Sequence, residues 1–132
     1  MSTPSPGPNE LPSPVSEPLV DRVILQQLCN ELDRESAEEM VQMFLDQLPE
    51  QIAGCEEALA KGDYPTLERE AHSTKGSAAS LGAAALAERA RQVEVAAEAA
   101  QTEVLPGLLA AMAQSAEATV PALEAWRAEG GS

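Results

Sequence analysis

A chain of 132 residues is long enough for one domain with its own hydrophobic core, so it needs no metal ion or disulfide to fold. Its formal net charge of −14 argues against binding DNA, RNA or an anionic membrane, because a polyanion is normally bound by a cationic surface. With no apolar run near ~20 residues and no secretory signal pattern, the sequence favours a cytoplasmic protein.

The composition favours an all-α fold. Apolar residues make up 44% of the chain, aromatic residues only 2%, and alanine, leucine and valine dominate without strand-like alternation. Cys29 and Cys55 are too few and too far apart in sequence to indicate a disulfide framework or a zinc site. We interpret them as small core residues of a protein from a reducing compartment.

Residues 1–18 differ in composition from the rest of the chain, because they hold six of its ten prolines among serine, glycine and asparagine. Such a segment is typical of a disordered or polyproline-like tail, and we predict that it lies outside the fold. A proline-rich docking motif is the alternative.

From Leu19 onward the apolar residues recur at helical spacing. The pattern predicts a short first helix that ends at Leu32, an interruption at 33–36, and a long second helix over 37–59. Pro49 lies inside the second helix, where its missing N–H and its ring predict a kink.

Further helices follow at short intervals. The third is predicted over 64–81, between a cap at Asp63 and Gly82, and the fourth over 86–97. The fifth is predicted to start near Glu103, to be kinked or split at Pro121, and to end before a flexible stretch at 129–132.

Four substantial amphipathic helices joined by short turns predict an antiparallel, up-down-up-down four-helix bundle. The bundle is expected to span residues 19–128, with the short first helix packed across one end.

The third predicted helix carries two stripes of different character. The outward stripe consists of His72, Lys75, Gly76 and Ala79. Glycine inside a helix costs roughly 0.5–1 kcal/mol relative to alanine, so this face is not optimised for stability and we interpret it as a surface for another molecule. The inward stripe is apolar or small and consists of Leu67, Ala71, Thr74, Ala78 and Leu81.

His72 is the only histidine, so the sequence lacks the residues that a hydrolytic triad or a bundle di-iron site would need. An imidazole is partly neutral at pH 7, and its free nitrogen is a good nucleophile toward phosphorus. Lys75, one turn along, could neutralise a phosphoryl group on the ring, and Gly76 leaves no side chain in the way of an approaching protein. Because no phosphate-binding loop is present, the phosphoryl donor must be another protein.

From Ala71 to Ala83 the sequence reads A-H-S-T-K-G-S-A-A-S-L-G-A, and Leu86 and Val93-Glu94 follow. This pattern resembles the histidine phosphotransfer (HPt) domains of multistep phosphorelays, and the resemblance covers roughly residues 23–126. Upstream features that also resemble the family are Phe44-Leu45, Pro49 and the turn Lys61-Gly62-Asp63.

The resemblance implies that His72 accepts a phosphoryl group from a receiver-domain aspartate, in a hybrid kinase or a response regulator, and passes it to another receiver. It implies that Lys75 supports the phosphate and that Gly76 permits docking. The chain would then be a phosphotransfer intermediate, not an enzyme with its own ATP site. It would need no cofactor of its own, and Mg²⁺ is expected on the partner receiver domain.

Thr74 departs from the family pattern, which usually has leucine or a similar apolar residue at this position. We predict that it faces the core and that its hydroxyl bonds back to the carbonyl of Glu70. Glu68 and Arg69 lie one turn from His72, where either could orient the ring or contact a partner; otherwise they are solvent-facing charges with no role. Ala79 is a further candidate for the docking surface.

An alternative function is a helical-bundle module that docks on a receiver domain or a kinase and inhibits it without carrying phosphate. A third is the phosphotransfer module of a chemotaxis-type kinase, which would require a downstream kinase region that this sequence lacks. We expect a monomer, because the exposed helix faces carry charge and not a second apolar stripe.

Overall fold

The computed structural model describes residues 12–130, and these form five α-helices and no strand. Helix α2 packs against α3 and α5, α4 packs against the same two helices, and α1 lies against α2. The predicted all-α four-helix bundle with an additional N-terminal helix is therefore confirmed. The helices are α1 (Arg22–Glu31), α2 (Arg34–Ala60), α3 (Tyr64–Ser80), α4 (Ala84–Glu98) and α5 (Leu105–Gly130).

Aspartates begin the first three helices. The carboxylates of Asp21, Asp33 and Asp63 accept hydrogen bonds from backbone N–H groups of the first turn at 3.0, 2.6 and 3.2 Å. Since Asp33 is a cap, α2 begins at Arg34, and the predicted interruption at 33–36 is shorter than expected.

The turn between α3 and α4 depends on Gly82. Its φ of +76° is in the left-handed region, and a Cβ built on it would lie 2.6 Å from the carbonyl oxygen of Asp21. The backbone N–H of Asp21 in turn donates to the Gly82 carbonyl at 2.7 Å. This close approach of two backbones holds the start of α1 against the end of the bundle.

The fifth helix differs from its prediction at both ends. It starts at Leu105, two residues after Glu103, and it continues to Gly130 without being split at Pro121. Near its end Glu129 pairs with Arg22 of α1 at 2.6 Å. Residues 131–132 of the predicted flexible end lie outside the described residues.

The amino-terminal segment reaches α4. Residues 1–11 of the predicted tail lie outside the described residues, but the carbonyl of Pro18 accepts a hydrogen bond from the N–H of Ala85 at 2.8 Å. The carbonyl of Ser13 accepts another, also at 2.8 Å, from the buried guanidinium of Arg89. The N-cap of α4 is Ala83, which has no polar side chain to accept a hydrogen bond. The amino-terminal segment therefore supplies the acceptor for the N–H of Ala85.

Aliphatic side chains fill the space between the helices. The largest fully buried core residues include Leu25, Leu48, Leu67, Leu86, Leu105, Met112 and Leu123. No described helix is both long enough and apolar enough to cross a membrane.

The two cysteines are not paired with each other. Cys55 is fully buried, and burial is the main reason why the pKa of its thiol rises to about 12. Cys29 is partly buried.

Candidate functional site

Helix α3 presents its two stripes as predicted. Leu67, Ala71, Thr74 and Ala78 are buried, whereas the His72 side chain is 67% exposed. Lys75, one turn further along and turned toward α4, keeps 33% of its side chain exposed. The imidazole is therefore open to a macromolecular partner, while the lysine lies lower on the same face.

Glu94 of α4 joins the two predicted site residues. Its Oε2 lies 2.6 Å from Nδ1 of His72, and its Oε1 lies 2.6 Å from Nζ of Lys75. The Glu94 side chain is only 15% exposed. One well-shielded carboxylate thus contacts both the ring and the cation.

The charge of Glu94 determines which nitrogen of the ring is free. The hydrogen bond from Lys75 is the main reason why the pKa of Glu94 is lowered; the bond with His72 adds to this, and burial opposes it. An ionised carboxylate only accepts hydrogen bonds, so Nδ1 of His72 carries the proton. The bond through Nδ1 is the ring's only hydrogen bond within residues 12–130, so in the neutral imidazole Nε2 is the nitrogen with the free lone pair.

The position of Glu94 follows from the α3–α4 hairpin. His72 and Glu94 lie the same number of residues before and after Ala83 in the connecting turn, so antiparallel helices bring them level. In the sequence, Glu94 stands out only as part of the family pattern. Its contact with His72 depends on a pairing between two helices, which the periodicity of one helix does not indicate.

Neither Glu68 nor Arg69 hydrogen-bonds to His72 in the structure. Arg69 donates to the Thr66 hydroxyl at 3.2 Å, and Glu94 is the residue that holds the ring. A role for either residue in docking stays a prediction.

Gly76 lies one turn and Ala79 two turns from His72 on the same stripe of α3, and both are exposed. A Cβ built on Gly76 would have no heavy atom within 4 Å, so neither packing nor backbone conformation requires glycine there. Because these two residues are small, neither places a bulky side chain on the face of α3 that carries the imidazole.

Comparison with known proteins identifies one domain type in this chain. The family model described as "Hpt domain" matches residues 39–126. The chain belongs to the Hpt domain family. This confirms the resemblance drawn from the sequence, and it supports histidine phosphotransfer in phosphorelays as the general function. No curated protein matches the sequence.

Two solved structures of Hpt proteins have the same fold. Histidine-containing phosphotransfer protein B (HptB) of Pseudomonas aeruginosa PAO1 aligns with a TM-score of 0.80 at 24% identity, over 86% of this chain and 98% of its own. The HPT domain from a Shewanella Hpt sensor hybrid histidine kinase aligns with a TM-score of 0.61 at 23% identity, over 80% and 94%. At these identities the comparison bears on the fold alone.

The hydroxyl of Thr74 has hydrogen-bond partners within this Hpt fold. The side chain is fully buried, and its Oγ1 donates to the Glu70 carbonyl at 2.9 Å, as predicted. A second contact to Oε1 of Gln51 at 3.3 Å ties the hydroxyl to α2. The polar residue is accommodated in the core, and the outward stripe is unaffected.

Proposed function

We propose that His72 is the phosphoryl carrier of a phosphorelay: it accepts a phosphoryl group from the aspartate of one receiver domain and passes it to the aspartate of another. The observation that supports this most strongly is the ring geometry. His72 is exposed, held at Nδ1 by Glu94, and open at Nε2. Membership in the Hpt domain family supports the same reaction class.

The proposed step is an in-line displacement at phosphorus. The Nε2 lone pair of His72 forms a bond to phosphorus as the bond from phosphorus to the aspartate oxygen breaks, and the free aspartate carboxylate leaves. The ring, now substituted on both nitrogens, becomes cationic. Glu94 accepts a hydrogen bond from Nδ1–H, and its negative charge offsets the charge of the ring. The reverse displacement then delivers the phosphoryl group to the aspartate of the second receiver.

Lys75 would support the phosphoryl oxygens. Its ammonium is anchored 2.6 Å from Glu94, one helical turn from His72, and its long side chain can turn this positive charge toward a group on Nε2. We expect Mg²⁺ to be held by the receiver domain, where the aspartyl phosphate is made.

A labelling experiment tests the proposal. Receiver domains charged with radioactive acetyl phosphate are mixed with the wild-type chain and with His72→Gln, which changes only an exposed side chain. We expect acid-labile label on wild type alone, because phosphohistidine is acid-labile. Binding without labelling would instead support the alternative function, a docking module that carries no phosphate.

A further inference from the structure

A groove between α2 and α5 lies on the side of the bundle away from His72. It has a volume of about 280 Å³, and we call it the α2–α5 groove. The four long helices pack in a ring, so the pair α2 and α5 is opposite the pair α3 and α4, which carries His72 and Glu94. The lining of the groove consists of Leu48, Pro49, Ile52 and Glu56 of α2 and Ala113, Ala116, Glu117 and Val120 of α5.

The walls of the α2–α5 groove are apolar, since all but two of its lining residues are. On the α5 side Ala113 and Ala116 are small and leave space between the helices. An engineered cavity of about 150 Å³ is enough to hold benzene, so this groove has room for a leucine or phenylalanine side chain. Apolar surface with a polar rim is typical of a contact with another protein.

The rim of the groove is acidic. Glu56 and Glu117 are both exposed, and the lining contains no lysine or arginine. Within residues 12–130 neither carboxylate forms an ion pair, although Glu57 next to Glu56 is paired with Lys61. The two rim carboxylates are therefore available to the cations of a partner.

Prolines add backbone acceptors at the same place. Pro49 has no N–H to donate to the carbonyl of Leu45, and Pro121 has none to donate to the carbonyl of Glu117. Pro49 and Glu117 both line the groove, so each helix lacks one of its hydrogen bonds beside it. Carbonyls and carboxylates only accept hydrogen bonds, so the complementary partner supplies donors.

Charge also decides between possible occupants of the groove. Residues 1–11 of this chain contain no lysine or arginine and include Glu10, so they bring no cation to the rim. A second copy bound symmetrically would place the same carboxylates against each other, in a chain with a net charge of −14. A basic segment of a different protein has the chemistry that both occupants lack.

We propose that the α2–α5 groove is a docking site for a basic, amphipathic segment of another protein. An apolar side chain of that segment enters the groove, and lysine or arginine side chains on either side of it contact Glu56, Glu117 and the two carbonyls. This site does not depend on phosphotransfer by His72. Because it is on the opposite side of the bundle, a segment bound there leaves His72 open, and the chain can be tethered while it exchanges phosphate.

The test uses synthetic peptides and matched charge substitutions. The probe is a short, fluorescently labelled amphipathic helix of leucine and lysine, and its control has every leucine replaced by alanine at the same charge. The double variant Glu56→Gln, Glu117→Gln removes the rim carboxylates. The double variant Glu98→Gln, Glu103→Gln removes the same charge at exposed positions outside the groove. Anisotropy gives the affinities, and amide chemical shifts of the wild-type chain locate the bound peptide.

We expect the leucine peptide to bind wild type at least ten-fold more tightly than the alanine peptide. The rim variant should weaken this binding at least five-fold and the control variant less than two-fold, with shifts concentrated around Ile52, Ala113 and Val120. Labelling of His72 by a charged receiver should stay within two-fold when the peptide is bound.

Equal affinities for the two peptides, or an equal loss in the two variants, would overturn the proposal, because attraction to the overall negative charge would then explain the binding. Shifts spread over the whole acidic surface would overturn it as well. So would sedimentation showing a wild-type dimer that the leucine peptide dissociates, since a second copy would then occupy the groove. Slower labelling of His72 with peptide bound would contradict the independence of the two faces.

Discussion

At the scale of single residues, the site depends on one carboxylate that serves two neighbours. Glu94 contacts Nδ1 of His72 and Nζ of Lys75, both at 2.6 Å. It keeps the proton on Nδ1, and it anchors the lysine one helical turn from the ring that we propose as the phosphoryl carrier. Neither effect requires Glu94 to touch the partner protein.

Glu94→Gln is expected to slow transfer and to lower the phosphorylated fraction about ten-fold. The amide keeps the shape but loses the charge that strengthens both hydrogen bonds, a loss of about 1–1.5 kcal/mol. Single-turnover transfer from a charged receiver measures the effect. The matched control is Glu98→Gln, one turn further along α4 and exposed. Equal rates for the two variants would show that Glu94 does not act on the ring.

The same residue predicts a pH dependence of stability. The pKa of Glu94 is lowered in the folded chain, so its contribution is complete above the unfolded carboxyl pKa of ~4.3 and is lost as pH falls through the lower folded value. Glu94→Gln should therefore lower Tm at about pH 5.5, by an amount that shrinks as the pH is lowered from there. A difference in Tm that grows on acidification would contradict this assignment.

Gly76 should separate stability from function. Gly76→Ala is expected to gain roughly 0.5–1 kcal/mol of stability, because the position is helical and a Cβ there meets nothing within 4 Å. Gly76→Gln should fold well but transfer at least ten-fold more slowly, since reacting atoms must approach to ~3–3.5 Å and a displacement of about 1 Å is costly. Melting curves and transfer rates decide it, with Ala110→Gln on the exposed face of α5 as control. If Gly76→Gln transferred phosphate at the wild-type rate, Gly76 would not be part of the docking surface.

At the scale of elements, helix limits were predictable where local chemistry sets them. Asp63 begins α3 and Gly82 ends it, as expected, because capping depends on residues close in sequence. Asp33, predicted to lie in an interruption between two helices, instead caps α2 by accepting a hydrogen bond from the N–H of Ser36. Pairing between helices was harder to predict: Glu94 meets His72 only once α3 and α4 fold back on each other.

The amino-terminal segment shows the same limit. Its prolines correctly indicated the absence of a helix at 12–18, but no local pattern indicates that Arg89 would bind the Ser13 carbonyl from 76 residues away. Arg89 as a whole residue is only 7% exposed, so its contacts are shielded from water. The sequence alone predicts no loss of stability on removing residues 1–18; the contacts with α4 predict a loss.

Deletion of residues 1–18 is therefore expected to lower Tm by several degrees. It removes the acceptors for Ala85 N–H and for Arg89, and an unsatisfied buried donor costs about 1–3 kcal/mol. Deletion of residues 1–11 alone is the control, because it leaves both contacts in place. Transfer rates should change little at a temperature where both variants are folded. Equal Tm values for the two deletions would show that the segment adds nothing to the bundle.

At the scale of the whole molecule, the charges are distributed in a way that suits a protein partner. Several cations are already paired with carboxylates, including Arg22 with Glu129 and Lys61 with Glu57, which leaves the surplus negative charge at the surface. Within residues 12–130 this arrangement gives nucleic acid little cationic surface to bind. The surface of α3 at Gly76 and Ala79, which carries no charge, is the contrasting feature, and it adjoins His72.

The relay itself is the central claim, and a two-receiver chase tests it most directly. A labelled donor receiver is mixed with the chain and with a second, unlabelled receiver, and label on all three proteins is followed over time. We predict that label passes transiently through the wild-type chain and accumulates on the second receiver, and that His72→Gln abolishes both. Relay of label to the second receiver at an undiminished rate with His72→Gln would contradict the account.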